Sequence, residues 1–145
     1  MSNCIFCDIV GGRVPASIVF SDEVCCSFMD TQPLNPGHVL IVPNKHVASI
    51  NDLDETIGGH LFAIAQRITR ALRRSGVRCE GVNLFLADGE AAGQEVFHVH
   101  LHIFPRFSND GFGLRPGPSY GKLPARDQLD DLAAAIRARL ADASP

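Results

Sequence analysis

The 145-residue chain has no apolar run that approaches the roughly 20 residues needed to span a bilayer, so no membrane role is expected. It also lacks a surplus of basic charge. Thirteen Lys and Arg against sixteen Asp and Glu leave a net charge of −3, so no positive field draws the chain to nucleic acid or anionic lipid. Internal repeats and low-complexity segments are missing, and Asp8, Gly11 and Gly12 interrupt the N-terminus too early for a signal peptide. The five cysteines are an odd number, and Cys25 and Cys26 are neighbours. That is a poor disulfide framework and fits a reducing compartment. These absences predict a soluble cytoplasmic protein. With 46% hydrophobic residues, the chain has enough apolar material for one domain over residues 1–145.

The most informative stretch is Val96-Phe97-His98-Val99-His100-Leu101-His102-Ile103-Phe104. Histidines alternate with branched apolar residues, the period-two pattern of a half-buried strand. The pattern predicts one face carrying a row of imidazoles and the other feeding a core. A single strand histidine is usually a surface or satisfied core residue, but packing makes no demand for three in a row. Imidazole rows serve either acid–base and nucleophilic chemistry or metal binding.

Along the rest of the chain, residues 3–10 have helical apolar spacing closed by Gly11-Gly12. Ile18–Phe20 and Val24–Met29 read as a hairpin, and His38–Val42 reads as a third strand stopped by Pro43. Asp52 is the expected N-cap of the main helix, with Glu55 completing a capping box. Ile57, Leu61, Ile64, Ile68 and Leu72 form its apolar stripe, and Gly59 is a possible point of close packing. Residues 81–87 form a fourth strand, and the glycine-containing loop 88–94 leads into the histidine strand. Residues 107–124 have no periodicity, and Asp127–Leu140 read as a closing helix. The expected class is α+β: a five-stranded antiparallel sheet, one long helix between strands three and four, and a C-terminal helix. The domain core is expected over about 4–106.

Gly93-Gln94-Glu95-Val96-Phe97-His98-Val99-His100-Leu101-His102-Ile103-Phe104-Pro105-Arg106 resembles the signature of the histidine-triad (HIT) family. The match extends upstream through Asp30, Pro36-Gly37-His38, Val42-Pro43-Asn44-Lys45-His46 and Asn83. The resemblance implies a HIT-like fold, a homodimer that extends the sheet, and nucleotidyl hydrolase or transferase activity on a purine nucleotide substrate. His100 is then the nucleophile that attacks the α-phosphorus, its ring held by the backbone carbonyl of His98. His102 stabilises phosphoryl charge. Asn83, Gly93 and Gln94 serve the phosphate, Asp30 the ribose, and Phe6, Ile9, Val14, Ile18 and Phe28 the base. Glu95 departs from the pattern, standing where many relatives place a small hydroxyl residue beside the leaving group.

Cys4-x-x-Cys7 has the spacing of half a structural zinc site. Any of the six histidines is a possible partner. The resemblance points to His46 and His98, giving a closed Cys2His2 zinc that leaves the chemical step without a metal requirement. Spacing alone gives His38 and His60 no role beyond a structural or exposed one. Three rival readings remain at this stage. One is a transferase or phosphorylase of the same fold, another is a non-catalytic nucleotide-binding module, and the third is a metalloenzyme with an open three-histidine site.

Overall fold

The computed structural model describes residues 4–140, which form two compact units that part between Phe112 and Gly113. The first unit holds α1 (Ile5–Val10), β1 (Ile18–Ser21), β2 (Cys25–Met29), β3 (Val39–Pro43), α2 (Glu55–Leu72), β4 (Gly81–Phe85) and β5 (Leu101–Arg106). Its strands form one antiparallel sheet in the order β1-β2-β3-β5-β4. The second unit carries α3 (Arg126–Leu140), whose stripe of Leu129, Leu132, Ile136 and Leu140 is exposed by 38–70% within the described chain. The expected α+β architecture, with the long helix inserted between the third and fourth strands, is what the chain adopts.

The two faces of the sheet do different work, and strand alternation assigns residues to them. On one face Cys25, Val39, Ile41 and Ile103 pack against the α2 stripe of Leu61, Ile64, Ala65, Ile68 and Leu72. On the other, Cys26, Phe28, Leu40 and Val42 pack against Phe6 of α1. Cys25 and Cys26 thus fall on opposite faces. Burial pushes the Cys25 thiol up to about 12, with Asp22 adding to the shift, so it behaves as a small apolar residue.

Three local expectations are corrected. The histidine strand is paired only over Leu101–Arg106. A tight turn precedes it, in which the His98 N–H donates to the Val96 carbonyl at 2.9 Å. Three imidazoles therefore do not share one ladder face. The N-cap of α2 is Asp54, not Asp52: Asp52 belongs to a short 3-10 turn capped by Ser49, and Asp54 accepts from the N–H groups of Thr56 and Ile57. Gly59 is not a packing contact, because a Cβ there would meet no atom within 4 Å.

His60, on α2, is tied to the β1–β2 turn through Asp22, with Nε2 2.7 Å from Oδ2. Burial disfavours the Asp22 charge, yet the N–H of Cys25, the His60 imidazole and the N–H of Val24 outweigh it and lower the carboxyl to about 2. A depressed carboxyl contributes stability that is present above its ordinary value and is lost as pH falls towards the folded value. This contact therefore weakens between about pH 4 and pH 2.

Gly59 sits in the interior of α2 with open space beside it. Gly59→Ala should raise stability by about 1 kcal/mol, since alanine is the better helix former by that amount. Thermal melting should shift upward by about 4 °C. A lowered melting temperature would show that the position needs glycine for some other reason.

Candidate functional site

His100 and His102 come together at the start of β5, with ring centroids 4.8 Å apart. Hydrogen bonds fix which nitrogen of each ring carries the proton. His100 Nδ1 donates to the His98 carbonyl at 2.7 Å, which leaves Nε2 with its lone pair. That is the arrangement of a competent nitrogen nucleophile.

His102 is fixed by a residue that sequence spacing did not single out. His38 Nδ1 accepts the Leu34 N–H at 3.2 Å, so the proton of this neutral ring lies on Nε2. That N–H donates to His102 Nδ1 at 2.9 Å, and His102 is left with Nε2–H as a donor. His38 Nε2 also lies 3.5 Å from Asp30 Oδ2. Burial lowers the His102 imidazole to about 4, helped by His100 and His38, and burial likewise lowers His38. Both rings are neutral at pH 7. The signal for His38 was present in the pairing: Leu40 stands opposite His102, so residues 38, 40 and 42 share the histidine face.

These rings line a cavity of about 590 Å³. Phe6, Ile9, Val14, Phe28 and Asp30 lie on its wall. Asp30 also closes a turn, accepting the Gln32 N–H at 2.8 Å. Gly93 reaches the cavity in a left-handed conformation, φ 85°, which favours glycine.

Other expected contacts are not made. Ile18 lies outside the cavity, 52% exposed on edge strand β1, and Val14, Pro15 and Ala16 form that part of the wall. Gln94 is turned away from it. Its Oε1 accepts the Gly89 N–H at 2.7 Å, and its Nε2 donates to Ala48 and Val96 carbonyls at 2.8 and 3.2 Å. It braces the loop instead of offering a donor to phosphate. The N–H groups of Ala92, Gly93 and Gln94 are likewise engaged by carbonyls of the same loop. Asn83 is outside the cavity lining, and its Oδ1 accepts from Arg106 Nη1 at 2.6 Å. Arg106 is in turn held by both Asp110 carboxylate oxygens.

A second cluster lies at the N-terminal turn of α1. Ligand atoms of Cys4, Cys7, His46 and His98 all fall within 4.8 Å of one another. His98 Nδ1 is 3.4 Å from Cys4 Sγ and 3.5 Å from Cys7 Sγ, and His46 Nδ1 is 3.3 Å from Cys7 Sγ. Zinc–sulfur bonds of about 2.3 Å and zinc–nitrogen bonds of about 2.0–2.1 Å at the tetrahedral angle give S···N edges of about 3.5–3.6 Å. The four residues fit that geometry. His98 is fully buried, its Nε2–H donating to the Pro43 carbonyl at 2.8 Å, so Nδ1 presents a lone pair to the thiols. Such an outer hydrogen bond fixes the tautomer of a ligating histidine.

The HIT domain model matches residues 12–109. The chain belongs to the HIT family. An uncharacterized HIT-like protein of Borreliella burgdorferi is 39% identical over 81% of this chain and 85% of its own length. The adenylylsulfatase HINT3 of Arabidopsis thaliana is 32% identical over 75% of this chain and 55% of its own. Among solved structures, a HIT family member from Bacillus subtilis has a TM-score of 0.86 at 32% identity, covering 95% of this chain and 97% of that one. A zinc-bound histidine triad protein from Mycobacterium smegmatis has a TM-score of 0.74 at 36% identity, covering 98% of each chain. Within this HIT chain, no described helix is long and apolar enough to cross a membrane.

The tautomers have a direct spectroscopic consequence. Two-bond 1H–15N correlation at pH 7 should show His100 protonated on Nδ1 and His102 on Nε2. His102 should remain neutral until pH approaches 4. Titration of His102 near its ordinary value of about 6.5, or the opposite tautomer, would contradict the relay from His38.

Proposed function

We propose that the protein is a nucleotidyl hydrolase acting on purine nucleoside phosphate derivatives through a covalent nucleotidyl-histidine. The observation that carries this reading is the His100 ring, which lines the cavity and whose Nδ1–H is held by the His98 carbonyl, leaving Nε2 unprotonated. The family supplies precedent, since one relative is an adenylylsulfatase by name.

The nucleoside occupies the part of the cavity bounded by Phe6, Ile9 and Phe28, with Asp30 accepting from the ribose hydroxyls. His100 Nε2 forms a bond to the α-phosphorus as the bond to the leaving group breaks, and the leaving atom takes up a proton. The imidazolium so formed keeps its Nδ1–H on the His98 carbonyl. His102 Nε2–H donates to a non-bridging phosphoryl oxygen and stabilises its charge. Water then forms a new P–O bond, the P–N bond to His100 breaks, and the proton released equals the one taken up earlier. His38 acts as a positioning residue by keeping the His102 donor aimed at the phosphate.

The Cys4, Cys7, His46 and His98 cluster is proposed to hold a structural zinc. A closed four-ligand site leaves no coordination position for substrate. Bound metal would cross-link the N-terminal turn, the segment after β3 and the segment before β5.

Two measurements check these assignments. His100→Ala should lower turnover by several orders of magnitude while nucleotide binding persists, and acid-labile label from an α-labelled nucleotide should no longer be trapped. Near-normal turnover in that variant defeats the nucleophile assignment. Protein purified without added metal should contain about one zinc per chain, and Cys4→Ser/Cys7→Ser should lose it and melt at a lower temperature. Metal-free wild-type protein of unchanged stability would argue for an apolar role of the two cysteines.

A further inference from the structure

Asn35 is buried but lies outside the cavity lining, so the chemistry above gives it nothing to do. Its side chain makes two bonds across a long stretch of sequence. Nδ2 donates to the Pro105 carbonyl at 2.9 Å and to Asp110 Oδ2 at 2.9 Å. Both partners are acceptors, which fixes the amide with its nitrogen towards them. Asp110 is itself held in place. Arg106 Nε and Nη2 grip its two oxygens at 2.6 and 2.8 Å, a bidentate pair. The Arg106 guanidinium keeps the Asp110 carboxyl well below the usual carboxylate range, so at pH 7 it is an acceptor only. The turn that returns Asp110 to the end of β5 uses a left-handed Asn109, φ 63°, and closes with the Asp110 N–H on the Phe107 carbonyl at 3.2 Å.

The segment that Asn35 anchors is the one that carries His38. The Asn35 carbonyl accepts the His38 N–H at 3.1 Å, and the His38 carbonyl accepts the Asp30 N–H at 3.0 Å. Between them Gly37 has φ 92°, and a Cβ there would lie 2.7 Å from Val77 Cγ1 and 3.1 Å from Pro105 Cγ. The turn is therefore seated against the end of β5 by backbone as well as by the Asn35 amide. His102 stands on the same strand, three residues before Pro105. Asn35 thus joins the turn that holds the donor, His38 Nε2–H, to the strand that holds the acceptor, His102 Nδ1. Hydrogen bonds weaken steeply as they leave alignment, so the 2.9 Å bond between the two rings depends on that junction.

We propose that Asn35 and Asp110 are positioning residues for His102: Asp110, gripped by Arg106, holds the Asn35 amide, and Asn35 holds the turn that aims His38 at His102. Neither touches substrate. Their effect on rate rests on the hydrolase reading and deepens it by naming what fixes the phosphoryl donor. Their effect on the His102 tautomer is independent of that reading.

The test reads both effects on the full chain. In Asn35→Ala, two-bond 1H–15N correlation at pH 7 should show His102 as a mixture of tautomers, while His100 stays protonated on Nδ1. Asp110→Asn keeps the shape but gives up the charge and one acceptor oxygen, and should give a smaller change of the same kind. With adenosine 5′-phosphoramidate as substrate, kcat of Asn35→Ala should fall on the order of ten- to a hundredfold, the cost of a misaimed group. Binding of adenosine 5′-monophosphate should be unchanged. In a His38→Ala background, Asn35→Ala should cost little more, because both act through one bond. Melting curves check that each variant is folded, and Asp110→Asn carries the same readouts if Asn35→Ala does not fold. A wild-type His102 tautomer in the folded variants, an unchanged kcat, or losses that multiply in the double variant would overturn the assignment while leaving the hydrolase reading intact. If the wild-type protein neither turns over the compound nor labels His100, the hydrolase reading fails, and the His102 spectrum alone decides whether Asn35 and Asp110 set the ring.

Discussion

The site depends on how one fully buried imidazole is held. His98 uses every polar group it has in a different direction. Its Nε2–H is donated to the end of β3 at Pro43, its Nδ1 faces Cys4 and Cys7, and its carbonyl receives the proton of His100 Nδ1. A buried ring with either nitrogen unsatisfied would cost on the order of 1–3 kcal/mol, so the two thiols and the carbonyl are not interchangeable decoration. Moving His98 would release the N-terminal turn and, through one peptide carbonyl, rotate the proposed nucleophile.

This geometry explains why the histidine alternation was informative and also incomplete. The period of two placed Leu101 and Ile103 towards α2 and brought His102 beside His100, as the register of β5 with β3 shows. It gave no sign that the turn at Val96–His98 precedes the ladder, because a turn made by a backbone bond between residues 96 and 98 leaves no mark in side-chain type. His38 went unrecognised for a related reason. Its place beside His102 comes from pairing between strands more than sixty positions apart, which spacing within one segment does not encode. Gln94 shows the opposite failure. A polar side chain in a glycine loop suggests a ligand donor, yet here its hydrogen bonds close the loop on Ala48 and Gly89.

The fold was more legible than the site because it rests on repeated signals. The α2 stripe recurs over five apolar positions, and each independently favours the same face. Site roles rest on single residues with one or two bonds. The ends of elements share that weakness: Asp52 and Asp54 are equally good caps by residue type, and only the extended backbone at Leu53 decides for Asp54.

The arrangement also bears on how charge is managed during the proposed reaction. Nucleotidyl transfer to an imidazole creates a cation at the ring and leaves negative charge on the phosphoryl oxygens. The cavity answers the first with a carbonyl and the second with a neutral N–H, and it uses no fixed cation on its described walls for either. Neutral donors discriminate weakly between substrate and transition state unless they are rigidly aimed. Aim is what the surrounding bonds supply: His38 holds His102, Leu34 holds His38, and the His98 carbonyl holds His100. Low basicity belongs to the same design. A His102 that charged near neutrality would bind any anion in its ground state, and binding the ground state as strongly as the transition state accelerates nothing. Burial that keeps the ring neutral leaves its N–H to respond to the charge that develops at phosphorus.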